Sequence, residues 1–116
     1  MRSAIRFVTL TCLSAIAVLL VACGGGSAGG TVNATIELTN GGKATSVQRI
    51  EASGGATVNL TVKSDVAETI HVHGYELEFE VPAGGSVTKS FVADQLGSYE
   101  IETHKSAHII AQLVVR

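Results

Sequence analysis

Asp94-Gln95-Leu96-Gly97-Ser98-Tyr99 is the stretch that decides the fold. Turn-forming residues give way, through Gly97, to a tyrosine that opens an alternating segment, Tyr99-Glu100-Ile101-Glu102. Gly-x-Tyr at the entry to a late strand has the form of a tyrosine corner. In that motif the ring packs inward and the hydroxyl bonds backbone a few residues upstream, which pins a Greek-key crossover. The alternative is a surface tyrosine after an ordinary turn. The turn residues before Tyr99 and the apolar Ile101 after it favour the corner, with Tyr99 largely buried.

Outward from this corner the pattern has period two. Val32, Ala34, Ile36 and Leu38 alternate with polar or small residues, and Val58, Leu60 and Val62 with Thr57, Asn59, Thr61 and Lys63. Ile70 and Val72 alternate with His71 and His73, and Leu77, Phe79 and Val81 with Glu76, Glu78 and Glu80. Alternation of this kind marks half-buried strands. Turn signals lie between the runs: Asn40-Gly41-Gly42, Ser53-Gly54-Gly55, Ser64-Asp65, His73-Gly74 and Pro82-Ala83-Gly84-Gly85. Short strands at such spacing predict an all-β protein, here a Greek-key β-sandwich of seven to eight mostly antiparallel strands over residues 31–116. The predicted core is Ile36, Leu38, Leu60, Val62, Val72, Leu77, Phe79, Phe91, Tyr99, Ile101 and Leu113.

The N-terminal residues are of another kind. Arg2 and Arg6 precede an uncharged apolar run from Phe7 to Leu20. This is the order of a secretory signal peptide, here residues 1–22. The run is short for a membrane-spanning helix, which needs ~20 apolar residues. An uncleaved anchor is the alternative, and it leaves Cys23 and the glycines behind it unexplained. Leu20-Val21-Ala22-Cys23 resembles the bacterial lipobox, in which the cysteine sulfur receives a diacylglycerol before the signal is cut. Two acyl chains make a stable anchor where one is marginal, at ~0.8 kcal/mol per buried CH₂. Residues 23–30 then read as the lipidated cysteine and a flexible Gly-rich tether. The resemblance implies a chain held at the cell membrane or outer membrane, facing away from the cytoplasm.

With Cys12 in the signal and Cys23 lipidated, the folded part carries no thiol, hence no disulfide and no thiolate metal ligand. From Cys23 onward Lys43, Arg49, Lys63, Lys89, Lys105 and Arg116 face all ten carboxylates, a net charge of −4 with neutral histidines. Nucleic acid is therefore not an expected partner, since phosphate binding needs clustered positive charge. No G-x-S-x-G nucleophile motif and no phosphate-binding Gly loop between strand and helix occurs, so the chain is not expected to be an enzyme.

Residues 31–116 resemble a cupredoxin-like domain. Ile70-His71-Val72-His73-Gly74 falls where that family places its first histidine ligand. Val81-Pro82-Ala83-Gly84-Gly85-Ser86-Val87 with Phe91 is similar to its "V-P-A-G…V…F" hairpin. Gly97-Ser98-Tyr99-Glu100-Ile101 is similar to its "G-x-Y-x-F" strand, and Ala111 to Val115 to its final strand. The departures lie at the copper site. The resemblance puts Thr103 where copper-binding members have cysteine. Ser106 and His108 stand where the second histidine follows, and Ile109 or Ile110 where the axial methionine belongs. Blue-copper electron transfer needs a thiolate beside two histidines, so a type 1 site is excluded.

Two functions remain. The first is a non-catalytic, lipid-tethered binding module whose target is another envelope protein or a small ligand. The second is a histidine-based copper or zinc binder or carrier of the cell envelope. Imidazole suits both ions. If metal binds, the expected ligands are His108 with His71 or His73, while alternation from Thr103 turns His104 away. The resemblance requires one of His71 and His73 to face inward, yet Ile70 and Val72 occupy the core parity of the same strand; the sequence leaves both arrangements open. Glu76, Glu78 and Glu80 read as a solvated strand face. For the anchor, Cys23→Ser should release the protein from the membrane fraction or leave the signal uncleaved. Normal processing and anchoring of that variant, followed by fractionation and intact mass, would refute the lipid anchor.

Overall fold

A computed structural model describes residues 29–116. The expected signal peptide (1–22), Cys23 and nearly all of the tether lie outside the described residues. Every regular element described is a strand: β1 (Thr31–Thr39), β2 (Lys43–Ala44), β3 (Gln48–Ala52), β4 (Ala56–Ser64), β5 (Glu68–Val72), β6 (Leu77–Val81), β7 (Gly85–Ala93), β8 (Gly97–Thr103) and β9 (His108–Val115). One sheet has the order β2-β1-β4-β7 and the other β3-β9-β8-β5-β6. The chain changes sheet after β2, β3, β4, β6 and β7, which is the Greek-key weave. Pairing is antiparallel except for β1 with β4 and β3 with β9. The ninth strand beyond the seven to eight predicted is β2, only two residues long.

The core follows the alternation. Ile36, Leu38, Leu60, Val62, Val72, Phe79, Ile101 and Leu113 are buried as predicted, and Leu77, Phe91 and Tyr99 are half-buried against them. Ile50, Val58, Ile70, Val81, Ile110, Val115 and several alanines complete it. Ile110 enters through a bulge: Ile101 pairs with Ala111 and Glu102 with Ile109, so Ile110 is the extra residue between them. Ile110 and Ala111 are consecutive and both fully buried, which an unbroken strand does not allow.

The tyrosine corner is present. Tyr99 donates its hydroxyl to the Leu96 carbonyl at 2.8 Å. Its ring lies over Gly74, where φ is +81° and any Cβ would run into the ring, and it meets Tyr75 edge-on at 5.1 Å. Tyr99 is half-buried rather than largely buried, because it closes one end of the sandwich instead of entering it. Replacing the hydroxyl in Tyr99→Phe should keep the fold and cost about 0.5–1.5 kcal/mol of stability, read from denaturant unfolding.

At the other end, the Asp65 carboxylate accepts the N–H groups of Gly41 at 2.8 Å and Gly42 at 3.0 Å, tying the β1–β2 turn to the β4–β5 link. Those bonds, Gly41's first, hold the Asp65 carboxyl below its ordinary value of 3.8. A depressed folded-state pKa stabilises fully above the unfolded value and loses that contribution as pH falls through the folded one. The Tm difference between wild type and Asp65→Ala should therefore be constant near neutrality and should shrink once the pH drops below about 3.8. A gap that widens in acid would contradict this.

Candidate metal centre

β5 fixes where its histidines go. Glu68, Ile70 and Val72 point between the sheets, with Ile70 and Val72 at 0% exposure. His71 and His73 therefore stand together on the outer face of the five-stranded sheet, ring centroids 4.4 Å apart. β8 lies beside β5 with His71 opposite Glu102. Paired residues share a face, so Glu102 rises next to His71. His104, the first residue past β8, donates its N–H to the Thr69 carbonyl at 2.9 Å, which continues the ladder and keeps His104 on the face of Glu102.

These residues converge on one oxygen. From Glu102 Oε1, His73 Nε2 lies at 2.8 Å, His104 Nε2 at 3.5 Å and His71 Nδ1 at 3.7 Å. One donor atom from each of His71, His73 and Glu102 lies within 4.8 Å of the other two. His71 Nδ1 and His73 Nε2 are both buried and make no hydrogen bond. The close His73–Glu102 contact thus lies away from the line of a ring N–H. That contact, more than any other, holds the Glu102 carboxyl below the ordinary carboxylate range against the opposing effect of burial. The result is an anionic oxygen amid imidazole nitrogens, a donor set that fits a borderline divalent ion such as copper(II) or zinc(II).

Carboxylates dominate the surroundings. Glu78 and Glu80 on β6 and Glu100 on β8 are exposed on strands flanking β5, and Glu78 Oε2 lies 3.9 Å from His104 Nδ1. Glu76 belongs to the preceding turn, with φ of +51°. The site is an open face. A cleft of about 480 Å³ beside β1, lined by Thr35, Ile36, Ala44 and Gln48 among others, shares no residue with it.

Of the sequence-predicted ligands, His71 and His73 come together and His108 stands apart. His108 pairs with Thr103, on the inward side of the sheet from Glu102. His104, expected to turn away, turns toward the other histidines, because those face outward. Neither Glu102 nor His104 is picked out by sequence reading, although Glu102-Thr103-His104 has the same two-residue spacing as His71-Val72-His73.

The inward position beside Glu102 is occupied by a hydrogen-bonded hydroxyl. Thr103, 1% exposed, shares a 2.7 Å hydrogen bond with Ser106 Oγ and accepts the His108 N–H at 3.1 Å. Ser106 in turn donates to the Gly42 carbonyl at 3.3 Å. That hydroxyl is engaged in closing the β8–β9 turn, and the β5 partner of Thr103 is Ile70.

No family model matches the sequence, and no curated protein matches it. Solved structures share the fold. A laccase from Botrytis aclada superposes with a TM-score of 0.64 and 14% identity over 76% of this chain and 23% of the laccase. A copper binding protein in the apo form superposes with a TM-score of 0.59 and 11% identity over 74% of this chain and 88% of that protein. Copper nitrite reductase from Nitrosomonas europaea gives 0.59 and 16% identity over 73% of this chain and 41% of the reductase. The chain spans 23% of the laccase's length, and at such identities the likeness is one of fold. Residues 31–116 are a cupredoxin-like sandwich.

Proposed function

We propose that this chain is a lipid-anchored, extracytoplasmic cupredoxin-like module that binds a divalent copper or zinc ion on the outer face of its five-stranded sheet. It acts as a binder or carrier, neither an enzyme nor a type 1 electron carrier. The observation that carries this reading is the pair of buried, unbonded ring nitrogens, His71 Nδ1 and His73 Nε2, beside Glu102 Oε1. A buried polar atom without a partner costs about 1–3 kcal/mol, and one ion satisfies both nitrogens and the carboxylate at once. The location rests on the lipobox-like Leu20-Val21-Ala22-Cys23. The copper-related names of the structural neighbours agree with the reading.

A second reading keeps the module and drops the metal. The carboxylates around the cluster suit a basic surface on an envelope protein, with the histidines as ion-pair partners of Glu102. The two readings separate on stability. Metal binding raises it by RT ln(1 + [L]/Kd), ~2.7 kcal/mol at a hundredfold excess over Kd, whereas a metal-free module keeps its midpoint. Calorimetric titration with Cu(II) and Zn(II) should show binding that His71→Ala and His73→Ala abolish and His108→Ala leaves intact. Bound Cu(II) should absorb weakly in the visible, since no thiolate is present. Binding should weaken below about pH 6, because imidazole ligates only when neutral. Affinity no greater than that of an unfolded peptide of the same composition would remove the metal reading.

A further inference from the structure

Three protein ligands and four protein ligands give a metal site different capabilities. A zinc-type ion with three keeps a position for water or substrate, whereas four close the tetrahedron. His104 stands at the edge of the set formed by His71, His73 and Glu102, outside the group whose donor atoms all lie within 4.8 Å of one another. His104 Nε2 lies 3.5 Å from Glu102 Oε1, and its ring stands edge-on to His71 with centroids 5.0 Å apart. A tetrahedral ion with bonds of ~2.0–2.1 Å sets its ligand atoms about 3.3 Å from one another. The three nitrogens lie 2.8, 3.5 and 3.7 Å from Glu102 Oε1, on either side of that spacing.

The other edge of the His104 ring faces a carboxylate that lies just beyond hydrogen-bond distance. His104 Nδ1 faces Glu78 Oε2 at 3.9 Å, from β6 on the far side of β5. Metal-bound histidines almost always offer their second nitrogen to a carboxylate, carbonyl or water, which fixes the tautomer and ring orientation. Glu78 is the carboxylate available to His104. The backbone adds its own constraint, since the His104 N–H to Thr69 carbonyl bond holds the residue against β5.

We propose that His104 is the fourth ligand of this site, oriented by Glu78, so that a divalent copper or zinc ion is held in a closed set of three imidazoles and one carboxylate. This rests on the metal-binding reading above and extends it. A closed set leaves no position for a substrate, so the ion is bound cargo rather than a reaction centre. His73 and His104, with 42% and 41% of their side chains exposed, form the solvent-facing edge of the set.

The test is Cu(II) electron paramagnetic resonance on the purified full-length chain, counting coordinated nitrogens, alongside competition titrations with Cu(II) and Zn(II). Wild type and His108→Ala should show three nitrogens, and His104→Ala two with a loss of affinity. Glu78→Gln should keep three nitrogens and bind on the order of 10–100-fold more weakly. His104 and Glu78 are exposed and outside the core, and far-UV circular dichroism checks that each variant is folded. If the ion is bound in a manner sensitive to His71→Ala and His73→Ala but His104→Ala changes neither nitrogen count nor affinity, the fourth ligand is overturned and the metal-binding reading stands. If the wild-type chain binds neither ion, both fall.

Discussion

The orientation of β5 is the constraint on which the site depends. Ile70 and Val72 are fully buried, and Ile70 is cross-strand from Thr103 on one side and Phe79 on the other. Burying a side chain of this kind contributes about 1.5–3 kcal/mol. A one-residue slip of β5 would move both into water and push His71 and His73 into an apolar interior, where an imidazole without a partner is costly. The two effects act together, so the histidines are committed to the outer face. Everything about the metal cluster follows from that commitment: its neighbour is Glu102 rather than Thr103, its third imidazole is His104 rather than His108, and its second ring of charge is the face of β6.

The two outer faces of the sandwich differ in kind. On the four-stranded sheet the exposed positions form a hydrogen-bonded polar ladder, with Asn59 donating to Asn33 at 2.9 Å, Ser90 to Asn59 at 2.6 Å, and Thr61 bonded to Thr88 at 2.8 Å. These groups bond one another across β1, β4 and β7. On the five-stranded sheet the outward residues of β5, β6 and β8 include His71, His73, Glu78, Glu80, Glu100 and Glu102, with no lysine or arginine on those strands. Carboxylates grouped on one face produce a negative potential that concentrates cations and speeds their arrival. The asymmetry is a property of the sequence expressed through strand order: β6 and β8 both adjoin β5, so their carboxylates flank its histidines.

The architecture was legible because alternation is local. Each of β1, β4, β5 and β6 announces its buried face in four to nine residues, and the Gly97-Ser98-Tyr99 corner marks the crossover. β3 escapes because only Ile50 and Ala52 carry its inward face between Arg49 and Glu51. The bulge at Ile110 escapes because it is visible only in the register of β8 against β9. The site was half legible for the same reason. Parity within a strand reads directly from sequence, and it put His71 and His73 on one face with Ile70 and Val72 on the other, while the family resemblance, which needs one histidine inward, kept the choice of face open. Which strand lies beside β5, and in what register, depends on contacts between residues some thirty positions apart, which periodicity does not encode. The family resemblance supplied the right neighbour, the strand ending at Thr103, but directed attention to its inward side and so to His108.

Placing ligands outside the core also separates folding from loading. The interior already contains a buried polar side chain, Glu68, 2% exposed, with Oε2 lacking a hydrogen-bond partner, and polar groups added there would need partners of their own. On the outer face the rings of His71 and His73 and the Glu102 side chain are partly exposed, although the two ring nitrogens nearest Glu102 are not, and none of the three belongs to the core. β5 and β8 are already joined by backbone hydrogen bonds with His71 opposite Glu102, so an ion bridging them closes no new loop in the folded chain. Its effect on stability is then the linkage term alone, set by free ion concentration and affinity. For the proposed binder, a set of ligands on the outer sheet face and outside the core suits reversible capture better than permanent retention.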